Sequence, residues 1–169
     1  MSVTPPTADP GPRAIEGREE LAAARLQLLT KARYKLAIYL PALLPDAYSS
    51  LAELDELRRI ATSGRGAEIR IVLSDAAAAL RAGHRLIDLA QRLPSVLQIR
   101  TPIDEQGENR INSAWLLNDA YGYLFLPDAS RLQGRAALDD GPGQAPLLLQ
   151  FEQIWERAIP ATQLQPLGL

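Results

Sequence analysis

Apolar residues recur along this chain in two patterns, at every third or fourth position and in short unbroken runs. Leu21, Ala24, Leu28 and Ala32, with Arg25 and Leu29 between them, follow the first and predict an amphipathic helix starting near Ile15. Leu36 to Leu40 follows the second, and Pro41 stops it, which predicts a buried strand. Ser49 or Ser50 caps the next predicted helix; if Ser50 does so, Glu53 completes a capping box. Its inner stripe is Leu51, Leu54, Leu57, Arg58 and Ala61, and Gly64 and Gly66 end it. Ile69 to Leu73 is a second strand. Asp75 opens a long helical region carrying Ala79, Leu80, Leu86, Leu89, Ala90 and Leu93, which Pro94 ends. Gly83 lies inside that region and is positioned to break it in two.

A third strand runs over 96–100, and the polar stretch from Thr101 to Arg110 reads as a solvent loop. Two further strands, 114–118 and 122–126, are joined by a tight turn through Asn118, Asp119 and Gly122, whose residue types suit a hairpin. Residues 127–146 read as a long loop. A last helix carries Leu147, Leu148, Phe151, Ile154, Trp155 and Ala158 on one side and stops at Pro160. The predicted organisation is a disordered proline-rich arm over 1–13, one domain over 14–159, and a loose tail over 160–169. Helix and strand alternate through the first two-thirds. The fold class expected is therefore α/β, with a mostly parallel sheet, an antiparallel hairpin and flanking helices.

Composition removes several chemistries. The 169 residues contain no cysteine and one histidine, His84. Thiolate catalysis, zinc–thiolate sites and iron–sulfur clusters are excluded, and a Ser/His/Asp triad or a His-rich metal site has too few members. No cofactor is expected. A formal net charge of -2 provides no bulk attraction for nucleic acid or anionic membrane. No apolar run approaches the roughly 18 residues of a membrane span, and the opening MSVTPPTADPGPR lacks the form of a signal peptide, so a cytoplasmic domain is expected. Of the 18 basic residues only Lys31 and Lys35 are lysine. GC-rich codon usage and a demand for bidentate phosphate or carboxylate contacts both account for that bias.

Several segments, in order, resemble one half of a phospholipase D-like fold. "LLTKARYKLAIYL" is similar to the family's opening helix and strand. "LRRIATSGRGAEIRIVLSD" is similar to its second unit, through Arg65, Gly66, Ile69, Arg70, Ile71, Leu73 and Asp75. "LIDLAQRLPSVLQIR", "WLLNDAYGYLFLP" and "FEQIWERA" resemble the third strand with its helix, the signature hairpin and the closing helix. The resemblance covers about residues 15–159.

The family's signature is His-x-Lys-x4-Asp-x6-Gly-Ser. With its aspartate on Asp119, Asn112 stands where the histidine belongs and Ala114 where the lysine belongs. Leu126 and Pro127 take the glycine and serine places. An amide is neither a nucleophile nor a proton carrier, and alanine cannot anchor a phosphate oxygen, so the covalent phospho-enzyme route is closed on this alignment. The resemblance thus implies a catalytically silent module used for binding, assembly or regulation. Its candidate cleft comprises Arg110, Asn112, Ser113, Asn118, Asp119 and Arg131. Active relatives form their cleft between two halves, so a single half implies a homodimer or a partner protein. Two other readings stay open: a residual hydrolase using carboxylates such as Asp119 with a metal, and nucleic-acid binding through a local patch of Arg110, Arg131 and Arg135. The even charge balance makes nucleic acid the less expected partner. Asp119 and His84 also have purely structural readings, as a turn residue and a helix residue.

Overall fold

The computed structural model describes residues 11–103 and 112–164. Its elements are β1 (Arg13–Glu16), α1 (Arg18–Lys31), β2 (Lys35–Leu40), α2 (Leu51–Ala61), β3 (Glu68–Leu73), α3 (Ala76–Arg81), α4 (Arg85–Arg92), β4 (Leu97–Thr101), β5 (Ala114–Asn118), β6 (Tyr123–Leu126), β7 (Gln133–Ala137), α5 (Gly141–Arg157) and β8 (Ile159–Pro160). A 3-10 turn, Thr162–Leu164, follows. All eight strands share one sheet in the order β1-β7-β6-β5-β2-β3-β4-β8.

The strands share one layer, as the alternation requires, but their directions differ from expectation. Only β2–β3 and β3–β4 pair in parallel. The other neighbouring pairs are antiparallel, so the sheet is mixed and mostly antiparallel rather than mostly parallel. The cause is the second half of the chain. β5 returns beside β2 in antiparallel register, Ile38 opposite Leu116, and β6 and β7 continue outward from it as a meander.

Alternation within β2 shows how the sheet is buried on both sides. Leu36, Ile38 and Leu40 face a large core built with α1, α2, α3 and α4. Ala37 and Tyr39 face a smaller one with Val72, Trp115 and Leu117, covered by α5 through Leu147, Phe151 and Trp155. The Phe151 and Trp155 rings, one helical turn apart, stack at 6.0 Å. Helices therefore lie on both faces.

Local capping follows the sequence closely. Ser50 caps α2 and forms the full capping box with Glu53. Gly83 adopts φ 64 and separates α3 from α4, since a left-handed residue ends the first helix. Two elements depart from the reading of the chain. The segment near Ile15 is an edge strand, and the helix begins only at Arg18. The stretch 127–146 is not a continuous loop: it contains β7 and the first turns of α5. Residues 160–164 are docked rather than loose. Ala161 donates to the Ile99 carbonyl at 3.0 Å, and Gln91 reaches the Leu164 carbonyl.

Candidate functional site

A cavity of about 550 Å³ opens on the α1 face of the sheet, where β2 ends and β5 begins. Its size falls within the range of small-molecule sites. The floor is Leu40 of β2 with Ala114, Leu116, Leu124 and Leu126 of the β5–β6 hairpin; α1 contributes Leu21, Ala22 and Arg25; the β2–α2 connection contributes Leu44 and Tyr48. Period two explains the floor. Ala114 and Leu116 point to this face, whereas Trp115 between them packs toward α5. Ala114 pairs directly with Leu126 across the hairpin.

Three of the positions that the sequence alignment sets against the phospholipase D-like signature thus meet at one cavity. Asn112, Ala114 and Leu126 all line it, and they stand where histidine, lysine and glycine belong in the alignment. The aspartate position does not join them. β5 places Asp119 beyond its far end, and four strand residues already span ~13 Å at ~3.3 Å each. There Asp119 accepts from the backbone N–H groups of Arg33 at 2.7 Å and Tyr34 at 3.0 Å, tying the hairpin turn to the start of β2. Asn118 is buried beside it. Its amide donates to the Leu28 carbonyl at 3.0 Å, and its oxygen accepts from the N–H groups of Ala120 and Gly122. Both residues hold a turn, as their types allow.

The remaining candidates divide in the same way. The Ser113 hydroxyl accepts from the Trp115 indole at 2.9 Å in the core. Arg131 sits near the mouth, 3.9 Å from Asp128, and is largely solvated. Arg135 lies on the α5 face with its guanidinium over the Phe125 ring, so it forms no common patch with Arg131. Arg110 lies outside the described residues.

The sequence reading did not place a buried ion pair at the back of the cavity. Arg25 donates to Glu53 at 2.6 Å, with side-chain exposures of 14% and 5%. The guanidinium also reaches the Asp46 carbonyl at 3.3 Å and lies over the Tyr48 ring. Burial alone would raise the Glu53 carboxyl; Arg25, by hydrogen bond and charge, and Ser50 outweigh it and hold the group below its ordinary value. Burial pushes the Tyr48 phenol up, with Arg25 acting in the opposite direction. The legible signal was Arg25 itself, an arginine at the Leu21–Arg25–Leu29 phase of an otherwise apolar helix face.

His84 closes the same corner. Its Nδ1 accepts from Leu86 N–H at 3.0 Å as the cap of α4, which leaves Nε2 to donate to the Leu44 carbonyl at 2.9 Å. It is a cap and a tether for the β2–α2 connection. His84→Ala is expected to lower stability by about 1–2 kcal/mol, the cost of a lost cap. Chemical denaturation checks this, and an unchanged midpoint would show that water replaces both bonds.

The described residues contain no group of three metal-capable side chains and no helix long and apolar enough to cross a membrane.

Comparison with solved structures places this fold. Nuc from Salmonella typhimurium, a phospholipase D family member, superposes with a TM-score of 0.61 at 9% identity, covering 89% of this chain and 97% of that one. NucT from Helicobacter pylori gives a TM-score of 0.57 at 11% identity, covering 89% and 98%. TrmBL2, an archaeal chromatin protein that binds DNA, gives 0.60 at 15% identity; this chain covers only 53% of its length, and 88% of this chain is matched. These similarities establish a phospholipase D-like fold. No curated protein sequence matches the chain. The family model for the domain of unknown function DUF7931 matches residues 17–167, from the start of α1 past the closing 3-10 turn, and the chain belongs to that family.

Proposed function

We propose that this domain is a non-catalytic ligand-binding module, in which an apolar cavity stands where a phospholipase D-like half would carry its catalytic groups. The observation that carries this reading is the convergence of Asn112, Ala114 and Leu126 on one cavity. Attack on phosphorus needs an imidazole and a cation to hold the phosphate oxygens. The amide, methyl and isobutyl groups found there supply neither. His84 cannot stand in, because both ring nitrogens are engaged in the fold.

The purified protein is therefore expected not to hydrolyse bis(4-nitrophenyl) phosphate, with or without added divalent metal. Turnover that follows the protein through purification and is lost when Ala114→Phe fills the cavity would restore the enzyme reading.

Self-association is a second element of the proposal. Leu44 and Leu132 at the cavity mouth are 48% and 36% exposed, and Pro127 beside Leu126 is solvent-facing. Such a rim favours pairing with a second copy through a two-fold axis. Nucleic acid is not the ligand proposed for this cavity, since three carboxylates, Glu19, Asp46 and Asp128, line it against Arg18 and Arg25.

A further inference from the structure

The charges around the cavity select among ligands, given the binding reading above. Arg25, the arginine that reaches the back wall, is matched by Glu53 at 2.6 Å. Arg18 at the mouth is matched by Asp46 at 3.2 Å. Among the described residues, both lining cations are thus paired. What remains is Glu19, with no ion pair among the described residues, and Asp128, whose cation partner is the solvent-facing Arg131 at 3.9 Å. The Ser130 hydroxyl and N–H hold the Asp128 carboxyl below its ordinary value.

Among the described residues, an anion entering this site would compete with Glu53 for the buried Arg25 and with Asp46 for the exposed Arg18, and would meet Glu19 and Asp128 on the way. The rest of the wall is mostly aliphatic, with Tyr48 and Trp115 as its aromatic residues and Asn112 and Ser130 as its uncharged polar ones. We infer that the cavity takes an uncharged, predominantly apolar small molecule and discriminates against anions, reversing the preference for a phosphate-bearing ligand that its signature positions would otherwise impose. Desolvating an anion without a free partner is costly, and like charge at the rim adds to that cost. An uncharged apolar body has no charge to desolvate on entry and removes the apolar wall from water.

Two fluorescent probes of nearly the same shape test this: N-phenyl-1-naphthylamine, which is neutral, and 1-anilinonaphthalene-8-sulfonate, which carries one negative charge. Fluorescence titration of the full chain is expected to give a Kd at least tenfold lower for the neutral probe. Ala114→Phe on the floor is expected to abolish binding of the neutral probe. Ala22→Phe on α1 tests the same cavity if the first variant does not fold. Glu19→Lys combined with Asp46→Lys is expected to tighten binding of the sulfonate at least tenfold and to leave the neutral probe within twofold.

Equal affinity for the two probes would overturn the charge selection while leaving the binding reading standing. Binding of neither probe, or binding that both filling variants leave unchanged, would overturn the binding reading itself. Sedimentation run in parallel identifies the remaining occupant. A mass of twice 18.5 kDa with neutral-probe affinity independent of protein concentration would support pairing by the rim with the cavity left open. Affinity that falls as the dimer forms would show that the second copy covers the cavity and would overturn the small-molecule assignment.

Discussion

Trp155→Ala is expected to destabilise the domain by roughly 3–5 kcal/mol, the range for a large aromatic deleted from a core. The indole is held from every side. Phe151 stacks on it at 6.0 Å, and the Arg100 guanidinium lies 4.1 Å from its ring centre. Arg70 covers both aromatic rings, at 5.2 Å from Phe151 and 5.7 Å from Trp155. Arg70 is itself fixed by Glu68 at 2.8 Å and by a two-pronged contact with Glu152 of α5. Removing the indole therefore opens a void and uncovers the apolar side of two guanidinium groups at once. Near the carboxyl end of α5 the partly buried Ile154 packs against the same cluster, and Trp155 is the larger anchor. Urea unfolding measures the effect, and a loss below ~1 kcal/mol would show that α5 holds to the sheet mainly through Leu147 and Phe151. Trp155→Phe keeps most of the buried area and is expected to recover at least half of the loss.

The strands that sequence patterning located best are those with the most apolar runs. β2 and β5 are buried on both faces and read as nearly unbroken apolar runs, β3 alternates through Glu68 and Arg70 before its apolar end, and the ends of all three fall within a residue of expectation. β1 and β7 carry no such signal. Arg-Ala-Ile-Glu offers one buried side chain, Ile15, and Gln-Gly-Arg-Ala-Ala offers only methyl groups to the core. In β7 small residues are a requirement. A Cβ at Gly134 would lie 2.2 Å from the Phe125 carbonyl oxygen, so the strand pairs closely only because that position is glycine. The same composition that permits the strand makes it look like a loop. The start of α5 was hidden for a related reason. Pro142 occupies the first turn, where its missing N–H costs nothing, and Asp140 caps the helix through Gly143 N–H at 3.1 Å.

Strand direction was legible within β2–β3–β4, which are parallel, and within the antiparallel β5–β6 hairpin, but not where the two groups join. Alternating helices and strands argue for parallel neighbours, but β5 reaches β2 after a long connection that contains no helix among its described residues, and it enters antiparallel. The site shows the same limit. Asn112 and Asp119 read as one motif along the chain, yet a strand separates its ends by its own length. Only Asn112, Ser113 and Arg131 remain near the cavity end, and Ser113 turns its hydroxyl toward Trp115. The residues that shape the cavity, Leu21, Arg25, Leu44 and Tyr48, come from elements that no signature includes. They converge through the fold.

Arg25→Met is expected to destabilise the domain at pH 7 by about 3 kcal/mol, and that loss should shrink as pH falls. Breaking a buried pair leaves a charge without compensation, which typically costs ~3–5 kcal/mol, and methionine retains much of the alkyl packing. The pH dependence separates charge from packing. In the wild-type protein the folded-state Glu53 carboxyl titrates below its ordinary 4.5. A depressed carboxylate contributes stability that is fully present above the unfolded-state value and is lost as pH falls through the folded-state value. The Arg70–Glu152 pair contributes with the same sign, since the Arg70 hydrogen bond also lowers the Glu152 carboxyl. In Arg25→Met the hydrogen bonds from Ser50 remain but burial is no longer opposed by a cation, so Glu53 should titrate above its unfolded-state value and the sign of its contribution should reverse. The difference between variant and wild type then cancels Glu152 and reports Glu53 alone. Urea unfolding at pH 7 and at pH 4 measures it. A penalty equal at the two pH values would show that Arg25 acts through packing against Tyr48 and not through charge. Arg25→Met combined with Glu53→Gln should recover much of the loss at pH 7, because an amide in the Ser50 capping site is far cheaper to bury than an unpaired carboxylate.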